Sequence, residues 1–160
     1  MRCKPWHDRD RVVLVGDAAH AIVPFYGQGM NAGFEDCRIF DELLDEHGPQ
    51  WSVVLPAYTE ERKPNGDAIA DMALANFIEM RDHVGSPLFL WWKRCEKLLH
   101  RLFPGWFTPL YNLVTFSNVP YAEARAQARS RLRTLGVAAA VTGALLLVLA
   151  VALLKRITTT

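Results

Sequence analysis

A short α/β unit, a mainly α-helical region behind it and one membrane-spanning helix at the C-terminus form the fold class this 160-residue sequence predicts. Three observations lead to it. A β-branched run, Val12-Val13-Leu14-Val15, leads through a Gly-rich stretch into a segment with helical periodicity. From Asp67 to Phe116, apolar residues recur at 3.6-type spacing between Pro and Gly breaks. From Leu135 to Leu154, no residue is charged.

Each element follows from local pattern. The run at residues 12–15 suits a short buried strand. Phe34, Cys37, Ile39, Phe40, Leu43 and Leu44 repeat at helical spacing, so a helix is expected over Met30–Glu46, starting near Gly29. Trp51–Arg62 reads as a helix that Pro64 stops. Asp67–Val84 follows, with Ile69, Met72, Ala73, Asn76, Phe77 and Met80 on one face, and Ser86-Pro87 punctuates it. Leu88–Phe103 is a second apolar helix closed by Pro104-Gly105, and Trp106–Phe116 is a shorter aromatic segment. Three helices so rich in Trp and Phe predict a compact helical cap. The twenty residues of Leu135–Leu154 make a helix of about 30 Å, the thickness of a bilayer's hydrocarbon core. Arg125, Arg129, Arg131 and Arg133 precede this span and Lys155 and Arg156 follow it, which suits anionic headgroups. The basic helix Tyr121–Arg133 is suited to lie on a membrane surface.

Composition excludes several classes. The net charge is +1, and no basic patch interleaved with aromatics points to nucleic acid. Cys3, Cys37 and Cys95 are scattered, without a CxxC pair, and the five histidines lack HxxxH spacing. They indicate free thiols in a reducing compartment and no metal site. A GxGxxG turn with a downstream acidic ribose ligand is also missing.

The residues between strand and helix carry the chemistry. Gly16-Asp17-Ala18-Ala19-His20 is followed by Pro24 and then Gly27-Gln28-Gly29-Met30-Asn31. A carboxylate at a strand end accepts hydrogen bonds from hydroxyls, and a helix N-terminus with unpaired N–H groups favours negative charge. A plain Gly-rich turn before a core helix is the alternative reading. The ordered strings GDAAH, proline and GQGxN resemble the second flavin motif of the aromatic-ring hydroxylases, the single-component flavoprotein monooxygenases. The resemblance implies part of a larger Rossmann-like FAD fold, with FAD as cofactor and NADPH as cosubstrate. It implies that Asp17 binds the ribityl chain, Pro24 lines the isoalloxazine ring, the amides around Gly29, Met30 and Asn31 face the flavin's pyrimidine edge, and Gly27 belongs to the same cofactor-binding set. Tyr58-Thr59-Glu60-Glu61-Arg62-Lys63-Pro64 is similar to that family's YxxxRxP segment.

Two later strings narrow the likeness. Asn76-Phe77-Ile78-Glu79-Met80-Arg81 and Pro109 to Ser117 (PLYNLVTFS) resemble the kynurenine 3-monooxygenase branch of the same family. That likeness implies L-kynurenine and O2 as substrates, with Asn76 and Tyr111 donating to the amino-acid carboxylate; an amide N–H and a phenol O–H can both do so. It places the neutralising arginine upstream, outside this chain, and assigns the chemistry to the cofactor, so no acid–base triad is expected and no catalytic residue is assigned. Without the likeness, such an Asn is more often a hydrogen-bonded core residue and such a Tyr more often packing. The alternatives for function are another aromatic-ring hydroxylase, acting on a phenolic acid or in the ubiquinone pathway, and an inactive membrane-tethered fragment that binds a partner.

The expected organisation is the C-terminal part of an FAD-binding domain (1–62), a helical substrate cap (63–120), a basic juxtamembrane helix (121–134), a transmembrane anchor (135–154) and a tail (155–160). The missing GxGxxG half makes the chain the expected C-terminal portion of a longer protein, a short form beginning at Met1 being the alternative. A short tail with basic flanks predicts tail anchoring in the mitochondrial outer membrane with the folded part in the cytosol; oligomeric state is left open.

Overall fold

The computed structural model describes residues 2–158, with side chains described for residues 2–149. The chain divides into two compact units, the first ending at Arg125 and the second starting at Ala126.

In the first unit, β1 (His7–Asp8) and β2 (Val12–Val13) form an antiparallel hairpin in register His7 with Val13 and Asp8 with Val12. Leu14 N–H continues the pairing to the Trp6 carbonyl at 2.7 Å. The expected strand at 12–15 is therefore two residues long, and Val12 faces solvent. Only its partly buried residues Val13, Leu14 and Val15 pack, against Trp6, Ala19, Ile39 and Tyr58. With a single hairpin partner, the run has one neighbour to bond and one face to bury.

One helical turn, α1 (Asp17–His20), leads to a 3₁₀ turn at Pro24–Tyr26 and then to α2 (Gly29–His47). α2 begins at the glycine the sequence indicated and ends one residue past the expected Glu46, where Gly48 adopts φ 63°. Its buried stripe is Ala32, Asp36 and Ile39.

α3 (Trp51–Ile78) runs through both Pro56 and Pro64, where the sequence predicted a stop at Pro64 and a new helix from Asp67. A proline removes one intrahelical bond and costs about 3 kcal/mol in isolation. Here both flanks are held by packing: Arg62 and Asn65 are buried, and Gly66 lies against the Trp6 ring. Asn65 Nδ2 also donates to the Glu61 carbonyl at 3.0 Å. A five-residue π turn, Glu79–His83, extends α3. α4 (Pro87–Leu102) and α5 (Leu110–Phe116) follow, and α6 (Tyr121–Thr158) begins in this unit.

The cap departs from the compact lid that its aromatic content predicted. Leu113, Val114, Tyr121 and Ala124 join Tyr26, Ala32, Ile69 and Met72 in one core cluster. α4, however, contains no buried residue, and Trp91 and Trp92 are exposed. Composition records that an apolar arc exists; it does not say what the arc faces.

The second unit is the rest of α6. Tyr121–Leu149 is the one helix among the described residues long and apolar enough to cross a membrane, and none of its most apolar window is buried. The juxtamembrane and spanning segments expected from the sequence are one continuous helix. Side chains 150–154 of the expected span, the basic pair Lys155 and Arg156, and the rest of the 155–160 tail lie outside the described side chains.

Candidate functional site

A buried carboxylate organises the residues around the Gly-rich strings. Asp36 on α2 is fully buried. One oxygen, Oδ2, accepts from Gly16 N–H at 2.9 Å and from His20 Nε2 at 2.6 Å; the other, Oδ1, accepts from Arg62 Nε at 2.7 Å. Arg62, itself 1% exposed, also donates from Nη2 to the Ala32 carbonyl at 3.3 Å and pairs through Nη1 with Glu35 at 3.1 Å. Three elements are thereby tied together: the turn carrying Asp17, the first turns of α2, and α3. Burial works against the Asp36 charge, but the His20 and Arg62 hydrogen bonds outweigh it and hold the carboxyl below its ordinary value. Since an ionised carboxylate only accepts, His20 carries its proton on Nε2.

Asp36 was not singled out from the sequence, and Arg62 only as part of a short string. A signal was present: Asp36 stands between Ala32 and Ile39 at i+4 and i+7 on the apolar stripe of α2, where a lone acid must find partners.

The frame leaves the predicted cofactor residues open. Gly16, at φ 60°, turns the chain into α1, and Asp17 at the head of that turn is exposed, with no side-chain hydrogen bond or ion pair among the described residues. Pro24 is exposed and opens the 3₁₀ turn that Gly27 closes, at φ 69°, by donating its N–H to the Pro24 carbonyl at 3.1 Å. A Cβ on Gly16 or Gly27 would meet nothing within 4 Å, so backbone conformation, and no packing within this chain, accounts for glycine there. At the start of α2 the first paired amide is Ala32, which donates to the Gln28 carbonyl at 2.9 Å. The amides of Gly29, Met30 and Asn31 precede it without intrahelical acceptors, and no side chain caps them. Met30 is 72% exposed, and Asn31 Nδ2 donates to Gln28 Oε1 at 2.9 Å. A free carboxylate and three free amides fit a ligand that offers hydroxyls on one part and an acceptor-rich, anion-forming edge on another, as FAD does.

The predicted substrate residues meet the same turn from the other side. Asn76, near the end of α3, donates from Nδ2 to the Phe25 carbonyl at 2.8 Å, and Phe77 packs on the Phe25 ring with centroids 4.5 Å apart. Tyr111 on α5 lies 5.7 Å from the Tyr26 ring, and its hydroxyl makes no hydrogen bond among the described residues. Asn76 and Tyr111 thus contact neighbouring residues of the Pro24–Tyr26 turn, directly before the open start of α2. Burial, with Glu79 and Tyr111 adding to it, pushes the Tyr26 hydroxyl up to about 12, so this phenol stays protonated.

A cavity of about 590 Å³ opens between α2 and the α5–α6 connection, lined in part by Gln28, Asn31, Glu35, Arg38 and Thr115. Asn31 alone of the predicted site residues lines it, so geometry favours the turn and helix start over this cavity as the centre of the site.

The FAD binding domain family matches residues 1–73, which include the hairpin, α1, the Pro24 turn and α2. The kynurenine 3-monooxygenase of Sus scrofa is 51% identical over 124 residues, covering 78% of this chain and 26% of that protein. That of Myxococcus xanthus is 56% identical over 117 residues, 73% of this chain and 25% of its own. That of Legionella pneumophila is 48% identical over 126 residues, 79% of this chain and 28% of its own. The chain spans about a quarter of the length of these relatives. With an FAD binding domain match over residues 1–73 and about half of the aligned residues identical to these proteins, the chain is a relative of the kynurenine 3-monooxygenases.

Proposed function

We propose that this chain is part of an FAD- and NADPH-dependent monooxygenase that converts L-kynurenine to 3-hydroxykynurenine. The observation that carries the proposal is the placing of Asn76 and Tyr111 on Phe25 and Tyr26, the turn that directly precedes the uncapped amides of Gly29–Asn31. Identity to proteins named kynurenine 3-monooxygenase supports the choice of substrate. When bound, FAD supplies the redox chemistry that draws reducing equivalents from NADPH and activates O2.

The protein's part is position and electrostatics. Asp17 accepts from the ribityl hydroxyls, Pro24 and Gly27 border the ring, and the amides of Gly29, Met30 and Asn31 stabilise negative charge without a full cation nearby. Asn76 Nδ2 bonds the Phe25 carbonyl and donates weakly to Met80 Sδ at 3.7 Å; the kynurenine carboxylate, a stronger acceptor than a thioether, takes over that second hydrogen together with a bond from the Tyr111 hydroxyl. Neither group neutralises the carboxylate, which requires a cation from outside this chain. α6 anchors the protein, with the mitochondrial outer membrane as the site and the cytosol as the side of the folded part; its length and apolar composition support this.

The test is NADPH oxidation and product analysis with the intact membrane-bound protein, offering L-kynurenine and a panel of phenolic acids. The expected product is 3-hydroxykynurenine, with KM for kynurenine raised roughly tenfold or more by Asn76→Ala and by Tyr111→Phe, each removing one charge-assisted hydrogen bond. Turnover of a phenolic acid alone would retain the flavin reading and overturn the kynurenine one. Failure of the protein to retain FAD would overturn both.

A further inference from the structure

α4 is held to the first unit by its polar side. At 100° per residue, Phe89, Lys93, Glu96 and His100 share one arc, and all are partly buried. Lys93 Nζ pairs with Glu79 at 2.6 Å and Glu96 at 3.3 Å. His100 Nδ1 donates to the Phe107 carbonyl at 2.7 Å, and the Phe89 ring lies 6.0 Å from His83. Most of the apolar arc points away, although Cys95 and Leu99 within it are partly buried. Leu88, Trp91, Trp92, Leu98 and Leu102 are 39–74% exposed, and the turn after the helix adds exposed Phe103 and Trp106. Arg94, Lys97 and Arg101 fill the remaining arc, exposed and without an ion pair among the described residues.

This sorting identifies the occupant. A soluble partner interface depletes lysine and balances its charges, whereas an interfacial membrane helix joins a Trp- and Leu-rich face to uncompensated Lys and Arg. A second copy docked through the same face would bring two basic edges together with no acid between them, since Glu96 is already engaged by Lys93. The same chain carries a helix of membrane-spanning length.

We infer that α4 and the Phe103–Trp106 turn form a second, monotopic contact with an anionic bilayer. The apolar arc enters the acyl boundary, Trp91, Trp92 and Trp106 sit at the level where indoles partition, and Arg94, Lys97 and Arg101 meet acidic headgroups. This contact is separate from the spanning helix and independent of the flavin and kynurenine assignments.

The experiment reconstitutes the full chain in phosphatidylcholine vesicles with and without phosphatidylglycerol, using brominated acyl chains to quench tryptophan and iodide to report access from water. Bromolipid quenching and iodide protection are expected in the anionic vesicles, with most of the quenching lost in Trp91→Phe/Trp92→Phe. Arg94→Gln/Lys97→Gln/Arg101→Gln should shift the docked-to-undocked ratio roughly a hundredfold toward undocked, at about fivefold per charge. Flotation of that variant with the vesicles should be unchanged, because flotation reads α6. Three results would overturn the inference: no bromolipid quenching with full iodide access, iodide protection that is equal without lipid (a protein surface covers the face), or failure of the wild-type chain to float.

Discussion

Asp36 and Arg62 are the residues on which the site's framework turns. Asp36 receives Gly16 and His20 from the turn carrying Asp17, and Arg62 from α3. Removing Arg62 leaves the buried Asp36 carboxylate with only its Gly16 and His20 bonds, and breaking a buried pair in this way typically costs about 3–5 kcal/mol. Arg62→Met is therefore expected to lower stability by about that amount in thermal or urea unfolding in detergent, with a larger loss than Arg38→Met, whose pairs are exposed. The same carboxyl predicts a pH dependence. Its folded pKa lies below the ordinary value of 3.8, so its contribution is complete above that value and is lost as pH falls through the folded pKa. Unfolding midpoints should thus decline below about pH 4, and Asp36→Asn should flatten that decline from a lower starting stability.

At the scale of elements, α3 decides how turn and helix start are presented, and glycine distinguishes packing from propensity within it. A Cβ on Gly66 would lie 2.8 Å from Trp6 Cη2 and 3.1 Å from His20 Cβ, both on fully packed residues. Gly66→Ala gains about 1 kcal/mol of helix propensity but incurs overpacking of about 1–3 kcal/mol, so the net effect on unfolding should be destabilising. Gly33→Ala in α2 has nothing within 4 Å and should stabilise by up to about 1 kcal/mol in the same assay. If both changes stabilise, the close packing of α3 on Trp6 is refuted. Much of this scale was legible in the sequence: α2 starts at the indicated glycine, and α4 runs from Pro87 to Leu102 against an expected 88–103. α3 was misread at Pro64 because local rules weigh a lost hydrogen bond but not the Arg62–Asp36 pair two residues away.

For the whole molecule, the membrane is the second solvent. The second unit buries none of its most apolar window, so its apolar surface must be matched by lipid or by another protein. Leu146→Arg, near the centre of the expected span, should raise the insertion cost by roughly 2.5–3.5 kcal/mol and move the protein from the membrane to the soluble or aggregated fraction. Far-UV circular dichroism of the detergent-solubilised variant should be unchanged. Retention in the membrane would show that another element supplies the anchorage, with α4 the first to test.

The sequence by itself determined the ordered GDAAH, proline and GQGxN strings, the helix starting at Gly29, and the twenty uncharged residues of the span, because each depends on short-range spacing or on composition alone. Only the tertiary structure decided that Asn76 and Tyr111 reach adjacent residues of the Pro24–Tyr26 turn, and that Asp36 binds Gly16, His20 and Arg62 in one buried cluster. It also decided that α4 turns its tryptophans outward. These facts depend on which faces meet across dozens of residues, and helical periodicity defines a face without naming its neighbour.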